Sequence, residues 1–166
     1  VELASETYAP GDTVKATVFV KPYKGGRQRL PVSLKLPADL PEGTYTATVC
    51  EDQQNVRQLL RENPNLNYPQ DANQLLESIQ TLLSVKRTHL VMRIPTGPNG
   101  VALEGKALPN LPGSMVQIMG SSKRTGSQTI NGSIVSHLTT EWVIQGSETV
   151  RFTVSKDAKV TKADER

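Results

Sequence analysis

The first candidates for nucleophilic or acid–base chemistry in this sequence are its single cysteine, its two histidines and the serine of a PGSM segment: Cys50, His89, His137 and Ser114. A serine hydrolase needs a nucleophile on a constrained turn, a histidine that accepts its proton and donors for the oxyanion. The PGSM segment around Ser114 matches no such turn, and both histidines fall on the polar faces of predicted strands. The pattern therefore indicates no catalytic residues, and an enzyme is not the favoured interpretation.

Metal ligation is a second chemistry for which histidines and carboxylates are the usual side chains. The spacing of these residues follows neither the calcium-loop pattern nor the zinc-helix pattern. The carboxylates in question are Asp12, Asp39, Glu42 and Asp52. We expect no metal site and no cofactor.

Cys50 and the NGS segment at 131–133 each have an ordinary structural explanation. Cys50 ends a predicted strand and is followed by Glu51 and Asp52, whose negative charges raise the pKa of a neighbouring thiol. NGS matches the glycosylation pattern, but Asn-Gly is a common hairpin turn. We interpret the first as a packed or unreactive thiol and the second as a turn.

Positive charge is concentrated between Thr13 and Leu36, a segment with six basic residues and no acidic one. Four of these cations alternate with apolar residues and so share the outer face of a predicted hairpin, while the other two flank its Gly-Gly turn. Such cations discourage edge-to-edge aggregation, and they could also bind an anion weakly. The candidate binding residues are Lys15, Lys21, Lys24, Arg27, Arg29 and Lys35.

Composition narrows the classes of function. The chain has 166 residues, of which 36% are hydrophobic and 4% aromatic. This length suits one domain, and so few aromatic side chains make a stacking platform for bases or sugars difficult to assemble. The net charge of +3 is well short of the concentrated charge of a nucleic-acid binder. We expect no specific binding of nucleic acid.

The sequence contains no apolar run with the length of a membrane span or a signal peptide. It starts at Val1 rather than at a methionine, which favours a processed protein or an excised domain. Because there is a single cysteine, an internal disulfide is excluded and the cellular compartment stays open.

The first third of the chain predicts three strands. Apolar and polar residues alternate from Thr13 to Lys21 and again from Arg29 to Leu36, which is typical of half-buried strands. The Gly-Gly pair between them fits a tight turn. Pro31 predicts that the second strand lies at an edge or directs that position outward. The segment TYTATVC predicts the third strand.

The middle of the chain changes to a helical period. DQQNVRQLLRE predicts one helix, and another begins after Asp71, an N-cap residue with Gln74 three positions on. Two prolines in NPNLNYP separate the two helices. The second helix carries a continuous apolar stripe formed by Ala72, Leu75, Leu76, Ile79, Leu82 and Leu83.

The remaining sequence returns to strands. THLVMRI predicts a strand, PTGPNG a loop, and ALPNLPGSMVQIM a helical turn in preference to a short buried strand. GSSKRTGSQ has the composition of a mobile loop. TINGSIVSHLTTEWVI and ETVRFTVS predict two or three more strands, with turns at Asn131-Gly132 and Gly146-Ser147.

Strands, helices and strands again, without regular βαβ alternation, predict a mainly β, α+β chain that forms an antiparallel β-sandwich-like domain. This single domain is expected at 1–155 with a helical insertion at about 53–84, and 156–166 is expected to be a polar tail or linker remnant. The expected core residues are Val14, Val18, Val20, Leu30, Val32, Leu34, Tyr45, Val49, Leu75, Ile79, Leu90, Met92, Trp142, Phe152 and Val154.

Four segments together resemble a known module: YAPGDTVKATVFVKPYKGG, LPVSLKLPADLPEGTYTATV, DANQLLESIQTLLSVKRTHLVMRI and ALPNLPGSM. This combination resembles a C-terminal module of large secreted bacterial proteins of the sporulation-stage-IV-B-type serine peptidase family, over roughly Tyr8 to Val154. Peptidase chemistry in that family lies in a separate segment with a Gly- and Ser-rich motif, which this sequence does not contain. The resemblance implies an accessory module outside the cytoplasm (periplasmic, cell-surface or secreted), and no catalytic residue carries over.

Three hypotheses of function remain. The first is a non-catalytic module that binds a protein partner or positions a neighbouring domain, for example by strand addition at a sheet edge. The second is an anion- or polysaccharide-binding module that uses the basic hairpin. The third, a hydrolase, requires a set of residues that the sequence does not show.

Overall fold

A computed structural model describes residues 1–69, 71–103, 106–108, 110–120 and 127–158. The strands are β1 Glu2–Leu3, β2 Thr7–Tyr8, β3 Thr13–Val20, β4 Gln28–Lys35, β5 Gly43–Glu51, β6 His89–Leu103, β7 Lys106–Leu108, β8 Ser127–Thr139 and β9 Ser147–Val154. The helices are α1 Asp52–Glu62, α2 Pro64–Asn67, α3 Ala72–Leu83 and α4 Gly113–Met119.

The first sheet has the order β1-β3-β4 and contains the predicted hairpin. Strands β3 and β4 pair antiparallel with Val14 opposite Leu34 and Lys15 opposite Ser33. Val14 and Leu34 are buried while Lys15 is exposed, so the predicted register is confirmed. β4 lies at the edge of this sheet, as Pro31 indicated.

The second sheet has the order β2-β9-β5-β6-β7, and β8 pairs with β6. β2 runs parallel to β9, whereas the other pairs are antiparallel. Since β6 pairs with β8 over most of its length, both strands are longer than the sequence pattern indicated. These two strands position the histidines described below.

Both sheets contribute to one hydrophobic cluster, which makes the architecture sandwich-like. Val14, Val32 and Leu34 come from the first sheet, and Met92 and Phe152 from the second. Burial of an aliphatic or aromatic side chain of this size contributes about 1.5–3 kcal/mol. The prediction of a mainly β, α+β fold with an inserted helical segment is therefore confirmed.

The helical segment connects β5 to β6, as predicted. Asp71 caps α3, because its carboxylate accepts a hydrogen bond from the Gln74 backbone N–H at 2.9 Å. The expectation that Leu75 and Ile79 are core residues is wrong, since the exposed fraction is 49% for Leu75 and 43% for Ile79. Helix α3 packs mainly against α2.

One predicted loop and one predicted turn are strand segments in the structure. PTGPNG continues β6, and the Asn131-Gly132 pair lies within β8 opposite Pro98 and Gly97. The register of the β6–β8 pairing shifts between Pro95 and Gly97 and again between Pro98 and Gly100, which accommodates the irregular residues of β6. Gly132 serves close packing here, because a Cβ on it would lie 2.6 Å from Asn99 Nδ2 and 2.7 Å from Thr96 Oγ1.

Other expectations are met in part. The helical turn after Pro112 is confirmed as α4. Among the remaining expected core residues, Val20, Leu30, Tyr45 and Trp142 are partly buried, and the others are fully buried. Most of the predicted GSSKRTGSQ loop and residues 159–166 of the predicted tail lie outside the described residues.

Candidate functional site

The six cations of the basic hairpin, defined as Lys15, Lys21, Lys24, Arg27, Arg29 and Lys35, are all exposed. The Arg27 and Arg29 guanidinium carbons lie 5.9 and 5.7 Å from the centre of the Phe19 ring. At that separation a cation is attracted by the face of an aromatic ring. Within the described ranges, none of the six cations forms an ion pair, so their charge is available to an external anion.

A cleft of about 640 Å³ opens beside the tip of this hairpin. It lies where the end of β3 meets the segment that leads into β9. Its lining is mixed, because Lys21 and Glu148 accompany apolar and aromatic groups. The lining includes Val18, Phe19, Lys21, Trp142, Val143 and Glu148.

Helix α3 exposes its apolar stripe to solvent. The exposed fraction ranges from 43% at Ile79 to 79% at Leu83. Large exposed apolar residues that adjoin one another mark interaction surfaces in folded proteins. We call this surface the α3 apolar face; it comprises Leu75, Leu76, Ile79, Leu82 and Leu83.

The side of α3 that packs against the protein is polar. Ser78 is buried, and its hydroxyl lies 2.7 Å from the Leu66 carbonyl oxygen, to which it donates. Gln74 and Thr81, which lie on the same side of the helix as Ser78, are partly buried. The amphipathic pattern of α3 is thus inverted relative to a helix that covers a core.

The helical segment is anchored to the sheet by Arg93. This side chain is 1% exposed and donates a hydrogen bond from Nη1 to Asn55 Oδ1 at 3.1 Å. Its Nη2 forms an ion pair with the Glu62 carboxylate at the end of α1. Burial raises the pKa of the Glu62 carboxyl group, and the Arg93 guanidinium opposes that rise.

Arg93 did not stand out in the sequence, where it occupies one position in an apolar strand. Strand β6 is buried on both faces at this point, since Met92 belongs to the sandwich core and Arg93 contacts α1. A charged residue within a run of five buried residues was the signal available. Such a residue needs a partner, because an unpaired buried charge is costly.

His89 and His137 come together, although no sequence spacing indicated it. Their ring centres are 5.9 Å apart, and ligand atoms of His89, His137 and Asp52 all lie within 4.8 Å of one another. Asp52 is buried, His89 is partly buried and His137 is exposed. Ser114 lies on the exposed side of α4, and within the described residues it forms no hydrogen bond with either histidine.

Cys50 is fully buried, which agrees with a packed thiol. Burial raises the pKa of this thiol to about 11; Arg93 opposes the rise, and the carboxylates of Glu51 and Asp52 add to it. The thiolate is the reactive form of cysteine. This residue therefore has neither the access nor the ionisation of a nucleophile.

No protein-family model, no curated protein and no solved structure matches this chain. Among the described residues, no helix combines the length and the apolar character needed to cross a membrane.

Proposed function

We propose that this protein is a non-catalytic interaction module that binds a protein partner through the α3 apolar face. The observation that carries the proposal is the inverted packing of α3. The helix directs Ser78 towards the rest of the protein and leaves Leu76 and Leu83 exposed at 55% and 79%.

Burial of the α3 apolar face against a partner is favourable because apolar area removed from water contributes about 25 cal/mol per Å². Recognition of an amphipathic helix by a hydrophobic groove uses apolar side chains at the spacing i, i+3, i+4 and i+7. Leu75, Ile79 and Leu82 have this spacing, and Leu76 and Leu83 extend the face. A partner with an apolar groove about three turns long fits this surface.

The resemblance to accessory modules of exported bacterial proteins is the support for a location outside the cytoplasm. In such a protein the partner of α3 is either another protein or a neighbouring domain of the same polypeptide. The absence of a nucleophile–histidine pair among Ser114, Cys50 and the two histidines favours a binding role over a hydrolase.

Site-specific photo-cross-linking in the cells that produce the protein tests this proposal. A photoreactive residue at Leu76 should give a cross-linked product of defined mass, and the same residue at exposed Glu77 should not, because the helical repeat turns Glu77 about 100° away from Leu76 and off the apolar face. Leu83→Gln should reduce the product formed at position 76, whereas Gln80→Ala should leave it unchanged. Equal products at positions 76 and 77, or none at either, would contradict the proposal.

A second candidate function is anion or polysaccharide binding by the basic hairpin. The cleft beside Lys21 and the arginines above Phe19 favour it, since both place cations next to apolar surface. Glu148 in the same lining opposes a highly charged ligand. This candidate therefore ranks below the α3 apolar face.

A further inference from the structure

We propose that Asp52, His89 and His137 form a binding site for a divalent transition-metal ion, with Zn²⁺ as the best-suited ion. The three residues belong to three elements: Asp52 begins α1, His89 begins β6 and His137 lies in β8. Their ligand atoms all lie within 4.8 Å of one another. This juxtaposition is independent of the α3 apolar face.

The strand register brings the two imidazoles together. His89 pairs with Thr139 and Val91 pairs with His137, so the histidines are diagonal neighbours on one face of the sheet. Diagonal neighbours on antiparallel strands are within reach of long or aromatic side chains. The proximity thus follows from the backbone pairing.

Hydrogen bonds hold two of the three ligands in place. The Asp52 carboxylate accepts a hydrogen bond at 3.0 Å from the Lys86 backbone N–H, and its Oδ2 is 3.9 Å from His89 Nδ1. His89 Nε2 lies 3.2 Å from the Thr139 hydroxyl. A partner on one imidazole nitrogen orients the other nitrogen towards a metal, as is common in metal sites. His89 Nδ1 is therefore the ligand atom.

The donor set selects the class of ion. Two imidazole nitrogens and one carboxylate oxygen suit Zn²⁺ and related transition metals, whereas Ca²⁺ and Mg²⁺ prefer oxygen ligands. Zinc–ligand bonds of about 2.0–2.2 Å bring tetrahedral ligands to about 3.3–3.6 Å from one another, so a modest closing movement completes the site. Because His137 is exposed, an ion can enter from solvent and water can take the fourth position.

An ion at this site would join the two ends of the helical segment. Asp52 directly follows β5, and His89 is the residue at which the chain re-enters the sheet as β6. Lys86, whose N–H already bonds Asp52, lies between α3 and β6. The ion would add coordination bonds to this existing contact and stabilise the base of the segment that carries α3.

Calorimetric titration of tag-free, chelator-treated protein with ZnCl₂ tests the site. We expect one Zn²⁺ per chain with a micromolar or lower dissociation constant. The chain has two histidines, both in the site, so the ring proton signals of both should shift together in NMR spectra. His137→Ala should weaken binding by at least about 10-fold, and because His137 is exposed this variant should fold.

Asp39→Asn is the matched control for Asp52→Asn, because Asp39 is an exposed carboxylate on the loop between β4 and β5. The control should bind Zn²⁺ like the parent, and Asp52→Asn should bind it more weakly. Zn²⁺ should also raise the melting temperature of the parent but not of His137→Ala, since a ligand of the folded state stabilises it. The proposal is overturned if the parent binds no Zn²⁺, if only one histidine shifts, or if His137→Ala retains the parent affinity.

Discussion

Arg93 on strand β6 is buried and forms an ion pair with Glu62, the last residue of helix α1. The same guanidinium donates to Asn55, about two turns earlier in the helix. Two positions on one side of α1 are therefore held by one side chain from the sheet. This contact fixes α1 against the second face of β6, and Asp52 is the first residue of that helix.

Arg93→Ala should destabilise the protein by about 3–5 kcal/mol, because it leaves a partly buried carboxylate and the Asn55 amide without their partner and opens a cavity. Urea unfolding measures this change. Arg61→Ala is the control, since Arg61 is exposed on the same helix. The control should change the free energy of unfolding by no more than about 0.5 kcal/mol. An equally small effect at Arg93 would contradict the anchoring role.

The exposure of the α3 apolar face predicts a contrast between two leucine substitutions. Leu34 is 2% exposed, so Leu34→Ala should lower the free energy of unfolding by about 2–5 kcal/mol. Leu83→Ala should lower it by no more than about 0.5 kcal/mol, because little area is buried there. Chemical denaturation of the two variants measures both values. A large loss at Leu83 would indicate that α3 packs on the core after all.

The contrast between the basic hairpin and α3 shows how much of the fold the sequence determines. The alternation of apolar and polar residues alone predicted that Val14 is buried and Lys15 is exposed, because successive side chains of a strand point to opposite faces and the apolar face must be buried. In α3 the pattern identified the apolar face, the start of the helix and its cap at Asp71. It did not identify what covers that face, since periodicity carries no information about the partner of a helix.

The cluster of Asp52, His89 and His137 could not be predicted from the sequence, for a different reason. His89 and His137 are separated by 47 intervening residues in the sequence, and their proximity depends on the pairing of β6 with β8. Register between distant strands follows from packing of whole faces, not from local spacing. Each histidine was placed correctly on the face of its strand opposite Leu90, Met92 and Leu138, which pack in the core, yet the pair required the sheet order.

Gly132 was interpreted as a turn residue, and the structure assigns it to close packing within β8. A Cβ at this position would approach Asn99 Nδ2 and Thr96 Oγ1 to 2.6 and 2.7 Å. Gly132→Ala should therefore destabilise the protein by about 1–3 kcal/mol through overpacking. Thermal unfolding measures the effect.

Gly113→Ala is the matched control for Gly132→Ala. No atom lies within 4 Å of a Cβ built on Gly113, which begins helix α4. Alanine restricts the unfolded chain, so this substitution should be neutral or slightly stabilising. If both variants lose stability equally, the close approach at Gly132 is not the cause.

Tyr45 provides a prediction of pH dependence. Its hydroxyl donates a hydrogen bond to the Pro41 carbonyl oxygen at 2.8 Å, and its ring stacks on Phe152 at 6.0 Å between centres. Burial raises the pKa of Tyr45 above its ordinary value of 10.0. Folding thus favours the neutral phenol. This contribution to stability is complete below pH 10.0 and is lost as the pH rises through the pKa of the folded state.

Absorbance of tyrosinate during an alkaline titration tests the shift. In the parent, one tyrosinate component should ionise above pH 10.0, at the pH where stability is also lost. Tyr45→Phe should remove this component. Tyr23→Phe should retain it, since Tyr23 is 99% exposed. A component that survives Tyr45→Phe would assign the shift to another tyrosine.

The basic hairpin should bind polyanions weakly and in a salt-sensitive manner. Within the described ranges its cations are exposed and form no ion pair, so they create a positive electrostatic potential around the hairpin. Phe19 is partly buried and is already covered by Arg27 and Arg29, which leaves little aromatic surface for stacking. Screening over a distance of about 8 Å at physiological salt removes most of the remaining attraction.

Binding to a heparin-like polymer at low and physiological salt measures this affinity. We compare the parent with a variant in which Lys21, Lys24, Arg27 and Arg29 become Gln, and with a control in which Arg57 and Arg61, two exposed cations of α1, become Gln. Affinity at low salt should fall in the first variant more than in the control, because only the first removes a cluster of charges. Submicromolar affinity that survives physiological salt in the parent and disappears in the hairpin variant would make anion binding the main function of this surface.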